Sequence, residues 1–396
     1  MQTVDQRIEK LRKLMEEKGI DIYYIPNEDD HLSEEYTADY FKCKSFISGF
    51  SGEAGCTIVT KDFAGLWTDG RYFTQAEHEL EGTCVTLMRL RQEGIPDPIP
   101  FLIDNTPENG CLGFDGKVVS SSDAIHLSKE LEKKNAKLHT TDDLVDTVWG
   151  KDRPSMPQEE IYILPKKYVG EDITERIQKV RDAMKEKGAD VLVLTKLEDP
   201  CWMLNIRGND IESTPVSYAF AVVTENEVIY YVDKEKVTDE VEKYFAEAKV
   251  TLKGYNDIEK DLEDLKDKKI WVNLRSFNTS FYSHLDSSNQ IINEDSPVVL
   301  FRAIKNETEL TNTINAHIKD GVAMVRFLYW LKHNIQTVPM TERSAEDKLL
   351  SFREEQEGFI EPSFHTISAY KGNAAMMHYT ANDETNAELH PEGFLL

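Results

Sequence analysis

The sequence predicts an α/β protein in which one helix–strand unit occurs twice, followed by a third segment that opens as α+β. Three observations lead there. Residues 7–21 and 176–190 are identical at nine of fifteen positions, at a constant offset of 169. Each stretch has the spacing of an amphipathic helix, stops at a glycine (Gly19, Gly188) and runs directly into an apolar, β-rich run. Beyond residue 300 the pattern changes, with a capping box and a long apolar helical repeat.

Taken in order, the first helix ends at Gly19 because a left-handed C-cap costs glycine little. The strand behind it spans residues 20–25, and its copy spans 189–194. The echo continues: residues 57–60 and 221–224 both read as strand ends, and each is followed nine residues later by an Asp, Asp69 or Asp233. A 169-residue offset is far longer than a solenoid repeat, so this is a duplicated domain. The Pro-bearing stretch Arg153-Pro-Ser-Met-Pro157 reads as a linker, and Asp295-Ser-Pro297 as a turn. The predicted domains are therefore 1–160, 161–300 and 301–396. In the third, Asn306 and Glu309 form the capping box, and Leu310, Ile314, Ile318, Val322, Val325 and Leu328 define one helix face expected to be buried. A second helix is expected from about Thr341 to Gly358. Residues 363–379 alternate as two strands around a turn at Lys371-Gly372-Asn373, aiming His378 and Tyr379. Gly393-Phe-Leu-Leu396 reads as a third strand entered at its first residues, so the expectation is a domain cut at the threshold of its active site.

At 396 residues the chain exceeds one comfortable hydrophobic core. A net charge of −26 argues against nucleic acid and anionic membrane surfaces, both of which want clustered Lys and Arg. No apolar run approaches the roughly 18 residues of a membrane span. The first ten residues read as a helix and not as a signal peptide. Five cysteines (43, 56, 84, 111, 201) without a Cys-x-x-Cys pair suggest reduced thiols and a cytoplasmic location. Gly49, Gly52 and Gly55 do not form a phosphate-binding fingerprint and read as close-packed turns. There is no Gly-x-Ser-x-Gly elbow and no His-Glu-x-x-His zinc helix.

Several stretches resemble the cytosolic three-domain Xaa-Pro aminopeptidases, of the metallopeptidase group that includes prolidase, methionine aminopeptidase and creatinase. The matches are His31-Leu-Ser-Glu34-Glu35-Tyr36, Phe46-Ile-Ser-Gly-Phe-Ser-Gly-Glu-Ala-Gly55 and Leu66-Trp-Thr-Asp-Gly-Arg-Tyr-Phe73 in the first unit. They continue with Trp202-Met-Leu-Asn-Ile-Arg-Gly-Asn-Asp210 in the second and Ala316-His-Ile-Lys-Asp320, Ser363-Phe-His-Thr-Ile-Ser368 and His378-Tyr379 in the third. The resemblance implies two tandem creatinase-type N-terminal domains and the start of an α+β pita-bread catalytic domain. It implies removal of the N-terminal residue from peptides with proline second, in a cytoplasmic homodimer that binds neither nucleic acid nor membrane. A non-catalytic creatinase-like scaffold or dimerisation module, or a prolidase-type dipeptidase, is the alternative.

By the same resemblance His378 is the catalytic candidate, contacting the peptide beside its scissile bond, where an imidazole can shuttle a proton. Arg71 matches an Arg that reaches substrate across a domain or subunit boundary; the residue reading alone makes it a surface Arg paired with Asp69. Glu35, or Glu34, matches a substrate-side Glu, the stretch carrying one Glu more than the family pattern. His365 joins the substrate-binding set because strand alternation would put it on the face of His378. Asn205, Arg207 and Asp210 read as an interdomain hydrogen-bond network. The family holds two divalent metals, usually manganese, through two Asp, one His and two Glu. None of those ligands is expected within these 396 residues, so no metal and no activity are expected of this chain alone.

Overall fold

The computed structural model describes residues 2–33 and 36–396; Glu34 and Glu35, the substrate-side candidates, lie outside the described residues. Contacts divide the chain into two units, one holding residues 1–164, 171–211 and 215–304 and the other 165–170, 212–214 and 305–396.

The larger unit contains the duplication. Its two leading helices, Val4–Lys18 and Ile173–Lys187, have the same length and the same ends. Thr3 and Asp172 are the N-caps, each closing a capping box with Gln6 or Glu175 three residues on. Gly19 and Gly188 both take the left-handed conformation and donate back into the last turn. Each helix covers a six-stranded sheet. In the first, β1 (Ile22–Ile25), β2 (Cys56–Thr60), β3 (Ala64–Thr68), β4 (Thr86–Arg89), β5 (Cys111–Gly113) and β6 (Lys137–His139) lie in the order β4-β3-β2-β1-β5-β6. A two-residue ribbon strand, β7 (Tyr162–Ile163), follows and pairs with β9 (Ile206–Arg207). The second sheet is made of β8 (Val191–Leu194), β10 (Ala219–Thr224), β11 (Val228–Val232), β12 (Val250–Lys253), β13 (Lys269–Val272) and β14 (Gln290–Asn293), in the order β12-β11-β10-β8-β13-β14. The orders match strand for strand, and so do the senses. The first strand of each unit pairs antiparallel with the second and parallel with the fifth.

Both sheets are covered on two faces, which is why their central strands are continuously apolar and not alternating. In β8, Leu192 and Leu194 enter one core while Val191 and Val193 enter the other. In β1, Tyr23 and Ile25 face the leading helix, and Ile22 packs with Trp67 and Phe114 on the far side. The glycine-rich stretch before β2 consists of close-packed turns, as expected: a Cβ on Gly55, at φ +114°, would sit 2.0 Å from the Trp67 carbonyl oxygen.

The two copies dock through a reciprocal contact. Ser121 N–H donates to the Phe277 carbonyl, and Thr279 N–H donates to the Val119 carbonyl. These residues flank two equivalent helix N-caps, Ser120 and Asn278, which form a single antiparallel bridge. Each copy gives the other the same backbone donor and acceptor, the pattern of an isologous interface.

In the smaller unit the helices fall where the sequence placed them, Glu307–Asn334 behind the Asn306 cap and Glu342–Glu354 behind Thr341. Two expectations fail. The long helix carries two apolar stripes, and the covered one is Ala323, Phe327, Trp330 and Leu331, which meet Leu349 and Phe352. The stripe expected to be buried is exposed instead, with Leu310 at 51% and Val325 at 67%. Helical spacing identifies an apolar face without naming its neighbour, and here the second helix took the other stripe. Residues 363–379 form no strand; pairing in this unit is limited, among the described residues, to the bridges Thr341–Glu388 and Tyr370–Leu395. The expected turn at Lys371 is a 3₁₀ helix, Lys371–Ala375, and residues 394–396 pair with 369–371. Alternation alone cannot hold a strand that lacks a ladder partner.

Candidate functional site

The segment that presents His378 is organised around one carboxylate. Glu342 opens the helix Glu342–Glu354 and is completely buried. Its side chain accepts the backbone N–H of Tyr370 at 2.6 Å and of Ala387 at 2.9 Å. It also accepts the Tyr379 hydroxyl at 2.7 Å and the Asn373 amide at 3.1 Å. Burial pushes its pKa up; the N–H groups of Ala387 and Tyr370, with Tyr379 and Asn373, outweigh that and hold the carboxyl below its ordinary value. A charged group at a helix N-terminus is further favoured by the backbone dipoles. One side chain thus pins residues 370, 373, 379 and 387 to the start of a helix.

His378 sits on this anchored loop. Its φ is +52°, a left-handed conformation uncommon for a side chain with a Cβ, and the next residue, Tyr379, is buried against Glu342. The turn sends the tyrosine inward and leaves the imidazole at the surface. His365 lies outside any helix or strand, exposed, with Nε2 3.3 Å from Oε1 of Glu346. Because neither histidine is in a strand, the alternation that would put them on one face does not apply.

Arg71 follows β3 in the other unit. Asp69 accepts its backbone N–H at 3.0 Å, its Nε at 3.0 Å and its Nη2 at 2.9 Å, so the guanidinium is held as a two-pronged fork above an Asp-Gly turn. The Arg71 guanidinium in turn holds the Asp69 carboxyl below its usual value. Asn205, Arg207 and Asp210 do not bridge domains. Asn205 donates to the Glu171 carbonyl and Arg207 to those of Cys201 and Ile206. Asp210 accepts the Tyr218 N–H at 2.6 Å and is ion-paired with Lys236, wholly buried. These are local bonds of the second repeat, and that between Asp210 and Tyr218 closes the loop between β9 and β10. Among the described residues no three His, Cys, Asp or Glu side chains are arranged to hold a metal ion, so the residues present do not fit a two-metal centre.

Sequence reasoning missed Glu342. Its only signal was a carboxylate one residue after a helix cap, in a chain with 72 acidic residues. It also missed the chemistry of His31, quoted only as part of a motif. Nδ1 of this buried imidazole lies 2.7 Å from the Thr195 carbonyl and Nε2 lies 2.9 Å from the Tyr255 hydroxyl, both in the second repeat.

Comparison with known proteins gives the family. Residues 7–148 and 152–309 each match the creatinase/prolidase N-terminal domain, and residues 312–396 match metallopeptidase family M24. A probable Xaa-Pro aminopeptidase P of Paracoccidioides brasiliensis (strain Pb03) is 35% identical over 416 residues, covering 100% of this chain and 67% of that protein. The chain belongs to the Xaa-Pro aminopeptidase P family. Aminopeptidase P1 of Arabidopsis thaliana is 35% identical, covering 98% of this chain and 67% of that protein. The probable Xaa-Pro aminopeptidase P of Laccaria bicolor is 39% identical over 94% of this chain and 59% of its own length. The chain thus spans about three fifths to two thirds of the curated relatives it matches. Among solved structures, X-prolyl aminopeptidase from Caenorhabditis elegans, a cytosolic enzyme with a di-nuclear active site, superposes with a TM-score of 0.91 at 28% identity, over 98% of this chain and 66% of that one. The architecture is therefore two creatinase N-terminal domains followed by an M24 segment.

Proposed function

We propose that the protein containing this chain is a metal-dependent Xaa-Pro aminopeptidase. It releases the N-terminal residue of peptides whose second residue is proline, working as a cytoplasmic homodimer with two divalent metals, manganese by preference. The observation that carries this reading is the match of the whole chain to Xaa-Pro aminopeptidase P relatives. In this reading His378 stands beside the scissile bond and moves a proton, and Arg71 binds substrate, its fork aligned by Asp69. Glu35 and His365 complete the substrate contacts. Metals, if held by the protein at the full length of its relatives, would supply a nucleophilic water and polarise the carbonyl. This chain's part is to place the imidazole, through Tyr379 and Glu342, on a turn that does not drift.

The test uses the protein at the full length of its relatives, assayed on an Xaa-Pro-Xaa tripeptide and its alanine analogue with added Mn²⁺. Cleavage is expected only before proline. His378→Ala is expected to lower kcat by about 10²–10⁴-fold, the usual worth of a positioned general acid or base. Equal cleavage of the alanine analogue, or an unchanged kcat in His378→Ala, would overturn the reading.

A further inference from the structure

The boundary between the two repeats holds a hydrogen-bond chain that is one hydrogen short. It runs from the Thr195 carbonyl to His31 Nδ1 (2.7 Å), from His31 Nε2 to the Tyr255 hydroxyl (2.9 Å), and from that hydroxyl to Asp30 Oδ2 (2.7 Å). Thr195 offers only an acceptor, so Nδ1 carries a hydrogen. If His31 is neutral, Nε2 is then an acceptor and must receive the single Tyr255 hydrogen. The remaining contact, at 2.7 Å, has no hydrogen left unless Asp30 supplies it. If instead Tyr255 donates to Asp30, Nε2 must carry the extra hydrogen. Either way three bonds need three hydrogens, and a neutral histidine and a tyrosine bring two.

A second observation places the missing hydrogen. Oδ1 of Asp30 is buried without a hydrogen-bond donor, its nearest cation candidate being His31 Nε2 at 3.7 Å. A carboxylate with one oxygen bare in the interior is costly, whereas the carbonyl oxygen of a neutral acid tolerates it better. The adjacent Asp29 shows the contrast: it accepts the N–H groups of His31 and Ser33 and the Tyr218 hydroxyl, each at 2.9 Å. Asp29 has three donors and Asp30 Oδ1 has none. Burial pushes Asp29 up to about 7 as well, but its donors suit the ionised form, so geometry and not the shift assigns the proton to Asp30.

We propose that Asp30, Tyr255 and His31 share one extra proton across the boundary between the creatinase-like repeats, and that this proton latches them together. It resides on Asp30 Oδ2, which donates to Tyr255, which donates to neutral His31. The charged and titratable groups facing the chain are Asp29 beside Asp30, Lys117 and Asp115 from the first repeat, and Lys236 and Tyr218 from the second. Glu259, 3.7 Å from Lys117, lines the same small cavity as Asp30. His31 stacks on Phe220 at 3.9 Å, and burial pushes its pKa down to about 3, which keeps it neutral. Burial, then the Asp29 charge, pushes Asp30 up to about 7. The folded pKa lies above the unfolded 3.8, so the latch contributes fully below about pH 4 and is lost as pH rises through about 7. Above that the proton leaves to solvent, and one bond of the chain goes with it.

The test compares the chain with Asp30→Asn, whose amide supplies the same hydrogen and cannot lose it. Amide exchange is followed at Ser121 and Thr279, whose N–H groups cross the boundary. Relative to Asp30→Asn, the opening constant of the unsubstituted chain is expected to rise by up to about tenfold per pH unit between pH 5 and 7, then level off. A ratio of opening constants that does not change with pH would overturn the proposal. Should Asp30→Asn fold poorly, ¹⁵N spectra of the unsubstituted chain decide, with His31 assigned by its loss in His31→Gln. The neutral Nδ1–H form at pH 6 supports the proposal; an imidazolium or a neutral Nε2–H form overturns it.

Discussion

After the third strand of each repeat an Asp caps a tight turn: Asp69 accepts the N–H of Arg71 at 3.0 Å, and Asp233 accepts the N–H of Glu235 at 3.1 Å. The backbone device is the same and its cargo is opposite in charge. One residue further on, the first repeat buries Tyr72 and the second buries Lys236, ion-paired with Asp210. The loops after the first strands also diverge. Residues 29–31 carry the acids and imidazole that cross to the other repeat, while the second copy answers with the Thr195 carbonyl. The sheets, caps and docking bridge are shared, and the chemistry sits in the connections, where a new side chain disturbs no ladder. A duplicated scaffold can therefore diverge in function one loop at a time.

Substitutions at paired positions should break this comparison in a definite order of size. Lys236→Ala leaves Asp210 charged and unpaired in the interior, so unfolding of the second repeat should become easier by about 3–5 kcal/mol, seen as a lower urea midpoint. Gly55→Ala meets the Trp67 carbonyl in a left-handed backbone and should cost the first repeat about 3 kcal/mol by the same measurement. Thr3→Ala and Asp172→Ala remove the equivalent caps of the leading helices; each should cost about 1 kcal/mol, and markedly unequal losses would show that the copies do not share this device. Arg71→Ala opens an exposed fork and should change stability by less than about 0.5 kcal/mol. A larger loss would make Arg71 a structural residue and weaken its assignment to substrate.

The duplication was legible in the residues because a helix with its cap, its C-terminal glycine and the strand behind it are local devices. Nine identities in fifteen were enough to expose the repeat, and the paired Asp69 and Asp233 marked the same turn twice. The capping box at Asn306 set the start of the long helix for the same reason. What lay beyond local reach was choice of partner. Spacing gave the helix 307–334 an apolar stripe at Leu310, Ile314 and Ile318, yet packing chose the stripe through Ala323 and Phe327. Alternation at 363–379 described a strand, but a strand exists only with its ladder, and Glu342 gathered the segment's N–H groups instead. The proton shared by Asp30 and His31 depends on Tyr255, 224 positions beyond His31, and no spacing rule connects them. Sequence determined the elements and their repetition, because caps and periodicity act within a few residues. Tertiary structure alone decided which faces meet and which buried groups share a proton, because burial and hydrogen-bond partners are set by residues far apart in the chain.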